Sequence, residues 1–245
     1  MIQCALNGAY TAADHPAVPV TLEQIVADAR ACAAAGAASV HFHPHRPDGG
    51  GDSMAADVLD PVVAAVRAAV PELEISCSTH ADIDLGGAAD HRAAVRGWRS
   101  PPDAVSLNLA EPGSVELGTE LLTAGVAIEA GIFTLADADA LLAAPWAEQV
   151  RRVLVEVIYE HDDEAAVALA HAIDERVAPL GRPRLWHGDA RANWAVADEG
   201  ARLGRDIRVG LEDTIVGRDG GIAPSNAEQV AEYAARGGAN GNGAG

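Results

Sequence analysis

The chain contains no lysine: all seventeen of its basic residues are arginine. Without a lysine amine no imine can form with a carbonyl substrate, so Schiff-base aldolase and pyridoxal-lysine chemistry are excluded. Aromatic residues are also scarce, at 4%, so alanine and valine must build the core. The three cysteines, Cys4, Cys32 and Cys77, are scattered, with neither metal spacing nor a disulfide framework. That usage suits a reducing cytoplasm. Charged residues such as Arg67, Glu72 and Asp82 interrupt the apolar runs before they reach membrane-spanning length. The opening MIQCALNGA lacks a basic region followed by an apolar block, so the expectation is a cytoplasmic chain without a secretory leader. Positive charge is in deficit, with 17 basic against 36 acidic residues and a net charge of −19. That balance argues against nucleic acid and against an anionic membrane surface as partners. Its bland reading is a solvated, soluble exterior.

What the 245 residues do contain is alternation. Short β-type runs occur at Ile2–Leu6, Ser39–His43, Leu73–Ser78, Ala104–Leu109, Val126–Gly131, Val153–Ile158, Arg184–His187 and Ile207–Leu211. Amphipathic helical stretches separate them, at Thr21–Ala35, Met54–Val70, Asp84–Trp98, Val115–Ala124, Ala136–Ala143, Asp163–Ala178, Arg191–Leu203 and Asn226–Arg236. Thr21-Leu22-Glu23-Gln24 reads as a capping box, and Ser225 as the N-cap of the last helix. Eight such pairs predict an α/β fold of the (β/α)₈ TIM-barrel type. The alternative, a doubly wound open sheet, would place G-x-G-x-x-G after the first strand, where this chain has Asn7-Gly8-Ala9-Tyr10. No shift in composition marks a second domain. The expectation is one barrel over residues 1–236 and a flexible Gly/Asn-rich tail over 237–245.

The sharpest chemical signal is Val40-His41-Phe42-His43-Pro44-His45 at the end of the second strand. Side chains alternate across a strand, so His41 and His43 face the same side. At a barrel mouth two imidazoles can share a divalent cation, with Zn²⁺ the first choice. His45 lies beyond the proline and is expected to face the cleft rather than the metal. The bland alternative is a pair of hydrogen-bonded histidines. The second signal is Arg208-Val209-Gly210-Leu211-Glu212-Asp213. Period two puts Arg208 and Glu212 on the interior face, where unpaired charge is costly. Glu212 could complete a His41/His43/Glu212 metal set, Asp213 could act as a base, and Arg208 could hold a carboxylate or tune Asp213. The alternative is a structural Arg–carboxylate pair. Ser78, Thr79 and Asn108, at the ends of strands three and four, can orient a carbonyl or carboxylate, or merely cap the strands. Glu129 interrupts an apolar strand and is expected to face the pocket. His187 is either a pocket residue or a core histidine, while His15, His91, His161 and His171 read as surface or helix residues.

Three segments together resemble the β-keto acid cleavage enzyme family. They are Ala5-Leu6-Asn7-Gly8-Ala9 with His15-Pro16-Ala17-Val18-Pro19-Val20-Thr21; Ala34-Ala35-Gly36-Ala37 with His41-Phe42-His43; and Arg208-Val209-Gly210-Leu211-Glu212-Asp213 with Ser225-Asn226-Ala227. The resemblance implies a (β/α)₈ barrel, one Zn²⁺ held by His41, His43 and Glu212, and a catalytic pair of Arg208 and Asp213. It implies substrate contacts from Ser78 or Thr79 and from Asn108, and brings Asn7 into the pocket set. The implied reaction joins a β-keto acid to acetyl-CoA and yields acetoacetate and a new acyl-CoA, in a homo-oligomer, dimer or tetramer. Three positions depart from the family pattern: His45 precedes Arg46 where H-x-H-x-R is usual, His80 replaces a glycine, and Tyr10 replaces a glutamate found in some members. Two competing expectations remain. One keeps the metal but makes the reaction hydrolytic or retro-aldol, without CoA. The other is a non-catalytic binding protein on a barrel scaffold.

Overall fold

The computed structural model describes residues 1–83, 88–160 and 162–240. Eight parallel strands close into a barrel in sequential order, with β1 pairing β8. They are β1 Ile2–Ala5, β2 Ser39–Phe42, β3 Glu74–Ser78, β4 Ala104–Asn108, β5 Ala127–Ile132, β6 Arg152–Val157, β7 Arg184–Gly188 and β8 Asp206–Val209. The helices follow in turn: α1 Leu22–Ala35, α2 Ala56–Ala69, α3 Ala88–Gly97, α4 Ser114–Thr123, α5 Leu135–Ala143, α6 Asp163–Val177, α7 Ala192–Arg202 and α8 Asn226–Asn240. The expected (β/α)₈ barrel is therefore the fold. Among the described residues, no helix is long and apolar enough to cross a membrane.

Local chemistry sets several boundaries. Thr21 caps α1 through the expected box, accepting from the Gln24 amide while the Gln24 side chain accepts from the Thr21 amide. Gly36 ends the helix in the left-handed region, at φ 113°. At the head of α8, Ser225 donates its hydroxyl to Glu228 and accepts the Gln229 amide through its carbonyl. Of the expected tail, Gly237–Asn240 continues α8, and residues 241–245 lie outside the described residues. So do Asp84–Gly87, where the third helix was expected to begin, and His161.

The apolar core lies between strands and helices. Val40, Phe42, Ile75, Leu107, Ile128, Val153, Val155, Trp186 and Val209 point outward under the helices and are almost fully buried. The inside of the barrel is polar instead. Gln3 donates to Ser39 and Glu129, Arg152 pairs with Glu74 and lies 3.2 Å from Glu129, and Ser76 donates to Glu129. This network, in which Gln3 Oε1 is left without a partner, forms the floor of the barrel.

Asn226, fully buried, staples three elements. It donates to the Leu6 carbonyl and to Asp28 on α1, and accepts from the Leu211 amide. Burial raises the Asp28 carboxyl from 3.8 to about 6, against the hydrogen bond from Asn226. The folded chain thus holds a proton across this range that the unfolded chain has released. Stability contributed at this residue falls as pH rises through that window. Asp28→Asn is expected to raise stability at pH 7.5 by roughly 1–2 kcal/mol and to change little near pH 4. Urea midpoints at the two pH values measure this.

Candidate active site

The C-terminal ends of the strands open into a cavity of about 220 Å³. Its walls include His41, His43, Ser78, Ser106, Asn108, Glu156, His187, Arg208, Glu212 and Asp213. Catalytic groups gather at this end of a barrel because every strand delivers its last inward side chain there. A larger cavity, about 400 Å³, lies at the opposite end beside α7 and α8, where Arg202, Arg205 and Arg236 are all paired with carboxylates.

His41 is the third residue of β2 and 1% exposed; His43 follows the last residue of the strand. The Asn7 side chain holds His43 in place, accepting from its amide and donating to its carbonyl, both at 2.9 Å. That clasp prolongs the β1–β2 ladder by one residue after the strands have ended. Asn7 does not itself line the cavity; it positions His43.

Glu212 reaches the pair by a route that strand parity did not foresee. The eighth strand stops at Val209, short of the expected Leu211. Gly210 then turns the chain at φ 146°, and a Cβ there would meet the Ala5 carbonyl oxygen at 2.0 Å. Only glycine lets the backbone pass so close to β1. Glu212 therefore sits in a turn above β1, its amide donating to Ala5, and its side chain lies over Gly8. A Cβ on Gly8 would come within 2.7 Å of Glu212 Cγ. The glycine of Asn7-Gly8 thus clears the path for the carboxylate.

The resulting cluster is compact. Glu212 Oε1 lies 3.6 Å from His41 Nε2 and 3.7 Å from His43 Nε2, and the ligand atoms of all three residues lie within 4.8 Å of one another. Donors about 2.0–2.2 Å from a tetrahedral ion stand about 3.3–3.6 Å apart, so this set fits a divalent cation. The hydrogen bonds on the far side of each ring agree. His41 Nδ1 lies 2.9 Å from Ser76 Oγ, whose own proton goes to Glu129, so Nδ1 must donate and Nε2 is left as a lone pair. His43 Nδ1 lies 2.6 Å from Asp52 Oδ2, which leaves its Nε2 toward Glu212 in the same way. Glu212 Oε2 is buried with no hydrogen-bond partner. Such outer partners orient metal-binding imidazoles. Ser76→Ala is expected to weaken metal affinity roughly ten- to hundred-fold without loss of fold, measured by competition with a chelator.

Burial pushes the His41 imidazole down to about 3, so it is neutral. Burial opposes charge on His43 as well, but Glu212 and Asp52 outweigh it and lift His43 to about 9. Burial also works against the Glu212 charge, yet Arg208 and the two imidazoles hold its carboxyl well below the usual range. Two carboxylates thus face the His43 ring, and a cation can take the place of its proton.

Arg208 lies beside this cluster, 6% exposed. Its Nε is 3.1 Å from Asp213 Oδ1, and one terminal nitrogen bridges Asp213 Oδ1 at 2.6 Å and Glu212 Oε1 at 3.0 Å. Burial disfavours its charge, but the two carboxylates more than compensate and raise its pKa. Asp213 is also buried, and His187 Nδ1 stands 3.5 Å from its Oδ1.

The other expected residues divide. Ser78 and Asn108 line the cavity. Thr79 does not: its hydroxyl donates to the Ser106 carbonyl at 2.6 Å, tying β3 to β4. Glu129, expected at the pocket, is fully buried one layer below it, beside Gln3, Ser76 and Arg152. Burial raises its pKa and Arg152 opposes that rise. His45 points away from the metal cluster; its Nε2 donates to the Gly8 carbonyl at 2.9 Å, and it lines a separate cavity with Val20, Leu22 and Val58. Glu156 and Asp52 were not anticipated. Glu156 carried the same signal as Glu129, an acid inside an apolar strand. Asp52 follows Gly49-Gly50-Gly51 and offered no signal.

Fold and site together define a TIM barrel with a two-histidine, one-glutamate cluster at its mouth that could hold a cation, and a buried arginine–aspartate pair beside it. A family profile described as beta-keto acid cleavage enzyme matches residues 1–177 and 115–242. The chain belongs to that family. A 3,5-dioxohexanoate:acetyl-CoA acetone transferase of Paraburkholderia graminis is 32% identical over 122 residues, which cover 48% of this chain and 36% of that protein. In ObcA bound to oxaloacetate, 92% of this chain superposes on 64% of that one, with a TM-score of 0.73 and 20% identity. A 3-dehydroquinate dehydratase from Clostridium difficile gives a TM-score of 0.63 at 9% identity, over 96% of this chain and 92% of that one. The chain thus spans under two thirds of ObcA and about a third of the transferase. At these identities the two structures establish the barrel alone.

Proposed function

We propose that this protein is a zinc-dependent β-keto acid cleavage enzyme. It joins a β-keto acid to acetyl-CoA and yields acetoacetate and a new acyl-CoA. The observation that carries the reading is the meeting of His41, His43 and Glu212 beside the Arg208–Asp213 pair. Family membership supports the reaction class, and the acetyl-CoA transferase relative supports CoA as co-substrate.

His41, His43 and Glu212 would hold the metal, leaving coordination free for substrate. Bound there, zinc supplies Lewis-acid polarisation of the keto group. Asp213, oriented by the Arg208 fork, takes the proton from the carbon between ketone and carboxylate. That carbon bonds to the acetyl carbonyl carbon of the thioester, and the CoA thiolate is expelled. The thiolate then adds to the original acyl carbon, whose bond to the carbon between ketone and carboxylate breaks; acyl-CoA forms, and the released carbanion takes the proton back from Asp213 as acetoacetate. Ser78 and Asn108 orient the substrate against this base. The lack of lysine fits, since no imine is available to take the metal's part.

Zinc-loaded protein supplied with acetyl-CoA and a panel of β-keto acids should form acetoacetate. Turnover that persists without CoA would select a hydrolytic or retro-aldol reaction instead. No turnover of any kind, with ligand binding intact, would point to a binding protein.

A further inference from the structure

Glu129 stands one layer below the cavity, fully buried on β5, and takes no part in the chemistry described above. A carboxylate sealed at that depth is costly even when paired, so its presence calls for a reason. Its two oxygens face different groups. Oε1 accepts from Gln3 Nε2 at 2.9 Å and lies 3.2 Å from Arg152 Nη1. Oε2 accepts from the Ser76 hydroxyl. Ser76 Oγ in turn lies 2.9 Å from His41 Nδ1. Glu129, Ser76 and His41 thus form a chain that crosses the barrel interior from β5 to β3 and then to β2, and ends at the cation cluster.

The hydrogen bonds of this chain run in one direction. Arg152 can only donate, so the end of residue 129 beside it must be an acceptor. Ser76 has a single proton and gives it to Oε2. Toward His41 its oxygen can then only accept, so the ring proton sits on Nδ1. The lone pair is left on Nε2, the nitrogen 3.6 Å from Glu212 Oε1. A neutral imidazole binds a metal only through the nitrogen without the proton. The polarity is therefore set at the floor of the barrel. With a donor in place of Oε2, the Ser76 proton would turn toward Nδ1 and the ring proton would move to Nε2. The cluster would then present an N–H to the cation.

We propose that Glu129 is a positioning residue, which acts through the Ser76 hydroxyl to fix His41 in the tautomer that can bind a divalent cation. The proposal rests on the reading of His41 as a metal ligand given above. Glu129→Gln isolates the effect, because it changes the hydrogen-bonding character of one atom at nearly constant shape. Arg152 and Gln3 hold the glutamine oxygen at the Oε1 position, since both present donors there. The amide nitrogen then falls at the Oε2 position and donates to Ser76, which reverses the chain as far as His41.

Two measurements on the full chain test this. Nitrogen-15 NMR of the histidine rings in metal-free protein, with His41→Ala to assign the signals, reads the tautomer directly. His41 is expected to carry its proton on Nδ1 in the native protein and on Nε2 in Glu129→Gln. Competition between the protein and a chelator for zinc reads the consequence. Affinity is expected to fall roughly ten- to hundred-fold in Glu129→Gln. When Ser76→Ala is already present, adding Glu129→Gln is expected to change affinity less than about two-fold, because the chain is already cut. A merely structural role would lower affinity alike in both backgrounds. The same tautomer in both proteins, native affinity in Glu129→Gln, or its full loss repeated in the Ser76→Ala background overturns the proposal. Should Glu129→Gln fail to fold, Ser76→Ala decides: an undiminished preference for the Nδ1 proton there overturns the proposal, and a mixture of tautomers upholds it. A native protein that takes up no zinc, yet shows the tautomer change, would refute the metal site and leave the control of His41 standing.

Discussion

Replacement of His41 by alanine is expected to remove the bound metal and cut turnover on the order of a thousand-fold. Three side chains make up the cation cluster, and His41 is the most deeply buried of them. Its ring is fixed from behind by Ser76, and burial keeps it neutral, as a ligand must be. Alanine leaves two donors and a void, so neither tetrahedral geometry nor affinity survives. Elemental analysis of the purified proteins measures this directly: about one equivalent of zinc in the native protein and little in the variant. Glu212→Gln provides a second variant of similar shape, since glutamine keeps an oxygen for Arg208 but loses the charge that attracts the cation. A His41→Ala protein that retained a full equivalent would remove the centre of the functional reading.

Asp213→Asn is expected to behave differently. The metal should stay, because Asp213 is not among the three clustered donors. Substrate binding should change little, while kcat should fall roughly a hundred- to ten-thousand-fold, as for loss of a general base. Asparagine is close in size and can still accept from Arg208, so the pair keeps its place and loses only its ability to take a proton. Steady-state kinetics with acetyl-CoA, beside a zinc analysis of the same preparation, separates these effects. A variant with native kcat would assign the base elsewhere, and a variant stripped of zinc would show Asp213 to be structural.

Two acids on neighbouring strands show how far the sequence could be read. Glu129 and Glu156 each interrupt an apolar strand, and alternation correctly turns both inward. Depth separates them. Glu129 is the third of six residues in β5 and falls into the barrel floor against Arg152. Glu156 is the fifth of six in β6 and reaches the mouth. The expected strands, Val126–Gly131 and Val153–Ile158, put both acids fourth of six, so neither the depth nor the partner was visible beforehand. Arg152 lies twenty-three residues from Glu129 and meets it through the β5–β6 register. Likewise His45 kept its expected distance from the metal cluster, yet the Gly8 carbonyl turned it toward another cavity.

From sequence alone came the alternation of eight strands and helices, the paired imidazoles of His41 and His43, and the exclusion of lysine chemistry. These are local properties, set by side-chain period and residue type within a few positions. Tertiary structure alone decided that Glu212 arrives from a turn over Gly8, that Asp52 and Ser76 orient the two rings, and that Glu156 faces the metal cluster across the cavity. Each of those contacts depends on where the closed ring of strands places residues far apart in the chain, and barrel closure and strand register have no local signature.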